Sequence, residues 1–293
     1  TIATDTQNTV SESNETNNDL SIPITIVNPD LQPGALQVSS PAVAGRTLQV
    51  IYNLTNNGPA VIDGQNWNDH LVFSTDAQWD DDDINLLQPF VFNPILGVGE
   101  FISRTNTVTL PTVASGDYYV VLRADRFGSF DHGNLWEVNE TNNTVAVPIH
   151  VTVPDLTPVS LVAKAEVSPR ESIAVEWRIQ NMGDATATKW NPAFFGQWND
   201  RLYLSTNQTV HAGSHWLGFY YQSGGQSYVW QTPLPVGETM TNTQNIAVPE
   251  VAEGDYFLVL SADADNYVRE VNETNNLLAV PIKVGSVDLV PAL

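Results

Sequence analysis

The pentapeptide NETNN occurs three times, starting at Asn14, Asn139 and Asn272, at spacings of 125 and 133 residues. A second phrase keeps the same beat: DLQP begins at Asp30, DLTP at Asp155 and DLVP at Asp288. Between them WNDHLVFST from Trp67 matches WNDRLYLST from Trp198, and GDYYVVLRAD from Gly116 matches GDYFLVLSAD from Gly254. A repeat of this period constrains the fold strongly, because each copy must close its own core and meet its neighbours through a recurring junction. Two complete units follow, residues 30–154 and 155–284. Residues 1–29 read as the loop and last strand of a preceding unit or as a donor strand. Residues 285–293 read as the first strand of a following unit or as a donor strand.

Within each unit, short apolar runs are broken by Asn, Asp, Gly and Pro, and few windows have helical periodicity. In RTLQVIYNLTN, Leu48, Val50, Tyr52 and Leu54 alternate with mostly polar neighbours, and in ESIAVEWRIQN so do Ile173, Val175, Trp177 and Ile179. Such alternation predicts strands with one buried and one wet face. About seven runs per unit predict an all-β chain of tandem immunoglobulin-like sandwiches. Tyr118 and Tyr256, just after Gly-Asp at the start of a late strand, are candidates for the tyrosine corner of such sandwiches.

The order of these motifs resembles the CARDB family, cell-adhesion-related domains of bacteria. It runs DLxP, then NNGPA or NMGDA, WxDxLYLS, the late GDYxxVLxAD strand and ExNETNN. Unit one departs in its longer ADRFGSFDHGNLWEVNE loop, and unit two departs at QTVHAGSHW, where unit one has AQWDDDDIN. The resemblance implies an immunoglobulin-like fold, tandem arrangement in an exported or surface protein, and no catalysis. An extracellular or cell-surface location, and neighbouring repeats or copies of the chain in a head-to-tail array as partners, are the expectations it carries.

Of the 293 residues, 11 are Lys or Arg and 33 Asp or Glu, a formal charge of −22, so nucleic-acid phosphates and anionic membranes are repelled. Cations are the natural partners. The absence of cysteine removes disulfides, thiolate metal sites and thiol nucleophiles. No run approaches the roughly 20 apolar residues of a membrane helix. The five histidines, at 70, 132, 150, 211 and 215, do not recur between units or fall in a nucleophile or zinc motif, so an enzyme is not expected.

Calcium takes six to eight hard oxygens. Asp125, Asp131, Glu137 and Glu140 in unit one, and Asp263, Asp265, Asn266, Glu270 and Glu273 in unit two, offer them in short loops without an EF-hand spacing. Asp80, Asp81, Asp82 and Asp83 form the densest acidic run, either a second calcium site or a solvated loop. The competing reading of the repeated phrase is a hydrogen-bonded corner. In it Asn139, Asn142, Asn143 and their counterparts Asn272, Asn275 and Asn276 bond local backbone. Asp69 and Asp200, each beside a tryptophan, are expected to bond backbone amides. A carbohydrate-binding alternative rests on Trp79, Trp136, Trp190, Trp216 and Trp230, with surface glycans as partners.

Overall fold

The structure, a computed structural model, describes residues 1–87, 90–92, 94–126, 133–189, 198–220 and 233–285, and these contain strands and no helix. A short hairpin comes first, β1 (Ile2–Ala3) paired with β2 (Asp19–Leu20). The first sandwich comprises β3 (Leu31–Val38), β4 (Ala42–Val43), β5 (Thr47–Asn56), β6 (Trp67–Ser74), β7 (Ile84–Asn85), β8 (Phe90–Phe92), β9 (Phe101–Thr109), β10 (Gly116–Arg123) and β11 (Thr144–Thr152). The second comprises β12 (Leu156–Val162), β13 (Glu166–Val167), β14 (Ser172–Asn181), β15 (Asp200–Ser205), β16 (His215–Tyr220), β17 (Thr239–Ala247), β18 (Gly254–Ser261) and β19 (Leu277–Val284).

Both sandwiches use one topology. A three-stranded sheet, β3-β5-β9 or β12-β14-β17, faces a sheet ordered β4-β11-β10-β6-β7 or β13-β19-β18-β15-β16, with β8 also pairing β6. The expected seven strands become nine and eight described segments, partly because two-residue edge pieces join the ladders. Thus β4 and β13 pair parallel with the last strand of their sandwich. The alternation read from the sequence holds: Leu48, Val50, Tyr52 and Leu54, like Ile173, Val175, Trp177 and Ile179, are all buried. Burying each such side chain contributes about 1.5–3 kcal/mol, which is the main force closing the sheets. One apolar cluster spans Leu31 to Val153 and a second Leu156 to Val284, so each sandwich has its own core.

The Asn-x-Gly phrase after the second long strand sets the start of each unit. Asn56 donates to the carbonyls of Ala60 (2.8 Å) and Leu96 (3.1 Å) and accepts from the amides of Asp30 (3.2 Å) and Gly58 (3.1 Å). Asn181 repeats this with Ala185, Leu234, Asp155 and Gly183. That uses both donors and both acceptor sites of a buried amide. The chain entering the unit passes so close that a Cβ on Gly58 would lie 2.4 Å from the Asp30 nitrogen, and one on Gly183 2.4 Å from the Val153 oxygen. The hydroxyls of Tyr118 and Tyr256 donate back to the carbonyls of Ala114 (3.2 Å) and Ala252 (3.0 Å), fixing the entry to β10 and β18.

Candidate functional site: the repeated acidic corner

The loop between the last two strands of each sandwich is built from the same short-range bonds. Asp125 and Asp263 begin it in the left-handed region, at φ 48° and 37°. The Asp125 carboxylate accepts the amides of Asn134 (3.0 Å) and Leu135 (2.7 Å), and that of Asp263 accepts the amides of Tyr267 (3.0 Å) and Val268 (2.7 Å). Asn139 then closes a turn by accepting from the amide (3.1 Å) and hydroxyl (2.8 Å) of Thr141, as Asn272 does from Thr274 at 3.0 and 2.6 Å. Glu140 accepts the amide of Glu137 (2.9 Å), and Glu273 that of Glu270 (3.2 Å).

Two long-range bonds turn this loop into a latch. The Glu137 carboxylate accepts the Leu31 amide at 2.6 Å, and Glu270 accepts the Leu156 amide, so the last loop holds the first strand of its own sandwich. Asn142 and Asn275 donate to the carboxylates of Asp30 (3.1 Å) and Asp155 (3.0 Å) on the same segment. Asn143 and Asn276 donate to Glu137 (3.2 Å) and Glu270 (3.3 Å).

The latch is buried and acidic. Burial, with Asp125 and Glu140 adding repulsion, pushes Glu137 up to about 8. Burial with Asp263 and Glu273 pushes Glu270 up to about 9, and Asp263 itself is raised to about 7. Like charges taken out of water resist ionisation unless something compensates them. Among the described residues no three His, Asp or Glu side chains come together as a metal site would need, so carboxylates alone do not form one. Amide and carboxylate oxygens around the latch are nonetheless left without donors. In unit one these are Glu140 Oε2, Asn142 Oδ1 and Asn143 Oδ1, and in unit two Asn275 Oδ1 and Asn276 Oδ1. Asn143 and Asn276 are only 5% and 6% exposed. Buried oxygens without donors, recurring at the same positions, have the chemistry of a hard-cation ligand set, and in that respect the residues present fit calcium.

The remaining candidates are used differently. Asp265 is bound by Arg201 and by Asn199, both at 2.5 Å. Asn266 sits at φ 52° with its amide on the Asp263 carbonyl (2.8 Å). Asp80 to Asp83 fold on themselves: the Asp80 amide meets Asp83 at 3.0 Å and the Asp82 amide meets Asp80 at 2.9 Å, while Asp81 faces Arg126 at 3.4 Å. Asp69 and Asp200 are buried, but the expected backbone partners are largely replaced by core aromatics. Asp69 accepts the Tyr52 hydroxyl and Asp200 the Trp177 indole N–H, each at 3.0 Å, while the Asp263 amide reaches Asp200 at 3.4 Å. His211 receives the Gly213 amide in a turn, whereas His215 opens β16.

The guanidinium groups of Arg123 (4.9 Å) and Arg126 (4.7 Å) both lie over the Trp79 ring, so its π face is already engaged. Trp136 and Trp216 are exposed, at 68% and 50%. Asp131, Trp190, Trp230 and residues 286–293 lie outside the described residues. Lys189 gave no signal in the sequence. It is buried over the Tyr267 ring (4.0 Å), and Asp263 stabilises its charge against burial, which lowers its pKa. Unit one has Gly64 at the corresponding position.

The CARDB family model matches residues 153–280, which is the second sandwich and its latch. That segment is similar to CARDB domains. CARDB domains are a non-catalytic, adhesion-related family, and the first sandwich repeats the motifs and topology of this one. No curated protein matches the sequence. Similar solved structures include the CARDB domain of a Pyrococcus furiosus protein in complex with di-metal ions, 20% identical, covering 45% of this chain and 90% of that one with a TM-score of 0.30. A β-glucosidase from Listeria innocua is 17% identical over 48% of this chain and 17% of that one, with a TM-score of 0.27. Red sea bream transglutaminase is 9% identical over 90% of this chain and 32% of that one, also with a TM-score of 0.27.

Proposed function

We propose that the chain is a non-catalytic structural segment of a bacterial extracellular or surface assembly, adhesive or filamentous, in which each acidic latch binds calcium. The observation that carries the metal is the recurrence of donor-less buried oxygens beside ionisable groups whose charge burial opposes. Calcium would be held by Glu140, Asn142 and Asn143 in the first sandwich and by Glu273, Asn275 and Asn276 in the second. It would supply positive charge that lets Glu137 and Glu270 ionise in place. Because the same loop holds the first strand, binding would stabilise the sandwich by RT ln(1 + [L]/Kd) and stiffen the chain where one unit enters the next. Lys189 partly compensates the acids of the second latch, so the first should bind more tightly.

Calorimetric titration of the chelated chain with calcium tests this. Two binding events are expected, with Glu140→Gln weakening the tighter and Glu273→Gln the weaker by about tenfold or more, the cost of a charged ligand. Absence of heat together with an unchanged melting temperature would leave the latch as a purely hydrogen-bonded corner.

A further inference from the structure

The third copy of the phrase, at the start of the chain, folds its corner without a sandwich behind it. Asp5, at φ 42°, accepts the amides of Thr9 and Val10 at 2.8 Å, four and five residues on, as Asp263 does from Tyr267 and Val268. Asn14 closes the Thr16 turn (3.0 and 2.7 Å), and Glu15 accepts the Glu12 amide at 2.9 Å. The hairpin register is also the same. Ile2 lies opposite Leu20 as Leu260 lies opposite Leu278, and Thr4 donates to Asn18 (2.9 Å) as Ala262 does to Asn276 (2.8 Å).

The segment that follows matches its counterparts in sequence, but it forms no strand beyond Leu20 and nothing covers it. Residues 20–27 read LSIPITIV, against VAVPIHVT at 145–152 and LAVPIKVG at 278–285. In β11 and β19 the alternating apolar side chains, Val147, Ile149 and Val151 or Val280, Ile282 and Val284, pack on the core. The corresponding Ile22, Ile24 and Ile26 are 67%, 81% and 82% exposed.

The junction between the two sandwiches shows what should lie next to that segment. From the trailing end of the first sandwich, Arg46 donates to the carbonyl and hydroxyl of Thr188, and Ser115 donates to Asp184. Asp184 also accepts the Val153 amide at 2.7 Å. Arg269 of the second sandwich crosses back to the Thr112 hydroxyl at 2.8 Å. It lies so flat on Gly45 that a Cβ there would come within 2.7 Å of its guanidinium. By the repeat register, Thr188 corresponds to Asp63 and Arg269 to Trp136, and both of these are exposed on the leading end of the first sandwich.

We propose that residues 1–27 are the final hairpin of another sandwich, and that this sandwich seats on the first as the first seats on the second. Its body is of the CARDB type and lacks this hairpin. Ile22, Ile24 and Ile26 close its core, Trp136 lies flat against a small residue at its Gly45 position, and Asp63 meets a cation at its Arg46 position. The inference rests on reading the chain as part of an array and does not depend on calcium.

Joining residues 30–120 directly ahead of Thr1 of the full chain supplies such a body, and hydrogen exchange reads the outcome. Amides of residues 20–27 are expected to exchange freely in the parent and to gain about 100-fold protection or more in the extended chain, as a closed sandwich strand does. Iodide quenching of Trp136, identified by Trp136→Phe, should fall in parallel. A folded added body with residues 20–27 still unprotected, or with Trp136 still quenched, overturns the proposal. As a second variant, residues 144–152 of the full chain are replaced by residues 19–27. A first sandwich that still melts cooperatively supports the strand assignment, and one that no longer folds overturns it. Running the exchange in chelator and in calcium separates the two readings: protection without calcium supports this inference even where calcium binding fails.

Discussion

Asp69 is 2% exposed, and one of its oxygens holds the hydroxyl of Tyr52 in the middle of the first core. Burial raises its pKa to about 7, with the nearby Asp125 adding to the rise and Tyr52 and Arg104 opposing it. The unfolded chain releases that proton near the ordinary value of 3.8, so between about pH 4 and 7 the folded state binds more protons than the unfolded one. The stability this group contributes is therefore complete below pH 4 and lost as pH rises through 7. In chelator, the melting temperature of the first sandwich should fall between pH 5 and pH 8, a direction opposite to that of salt-bridged carboxylates. Asp69→Asn keeps an acceptor for Tyr52 and removes the charge. It is expected to raise the melting temperature at pH 8 by roughly a few °C while leaving it nearly unchanged at pH 5, measured by calorimetry. An identical pH profile in parent and variant would mean that Asp69 stays ionised in the fold.

At the scale of the element, the latch divides into what is local and what is not. The turns at Asn139 and Asn272 and the i, i+3 glutamate caps join neighbours in the chain, whereas Asn142, Asn143, Asn275 and Asn276, expected to bond local backbone, donate to carboxylates instead. The isolated copy at 5–18 confirms that the bonds between chain neighbours form without tertiary support. The bond from Leu31 to Glu137 joins residues 106 positions apart, and no spacing announces it. Lys189 was missed for the same reason, since its partners Tyr267 and Asp263 are brought to it only by the closed sandwich. Strand faces were readable because alternation is one-dimensional, whereas the partners of Asp69 and Asp200 across the core were not. The latch can be tested by substitution. Glu137→Ala strands the Leu31 amide in a buried position and should destabilise the first sandwich by about 1–3 kcal/mol in chelator. Glu137→Gln retains an acceptor and should cost much less. Equal losses from both variants in urea melts would show that the carboxylate charge, and not its acceptor, holds the strand.

For the whole molecule the question is what restrains two sandwiches with separate cores relative to one another. Only three residues separate β11 from β12, and the junction around them is polar: Arg46 on Thr188, Ser115 and the Val153 amide on Asp184, Arg269 on Thr112. His150 stands 2.7 Å from Asp117 and 3.9 Å from Asp184, extending the set across both units. The exposed contacts among these, Ser115 on Asp184, Arg269 on Thr112 and His150 on Asp117, contribute about 0–1 kcal/mol each, so any one of them can be lost without freeing the hinge. Together they restrain a short tether that already allows few orientations. The double variant Arg46→Ala/Arg269→Ala, which removes junction donors without stranding a backbone amide, should therefore leave the melting of each sandwich within about 1 kcal/mol of the parent. In small-angle scattering it should broaden the distance distribution and add a dependence on salt, because a chain of charge −22 extends itself by repulsion once the junction no longer fixes its shape. A double variant with the parent's scattering curve at low and high salt would place the restraint in the three-residue tether itself.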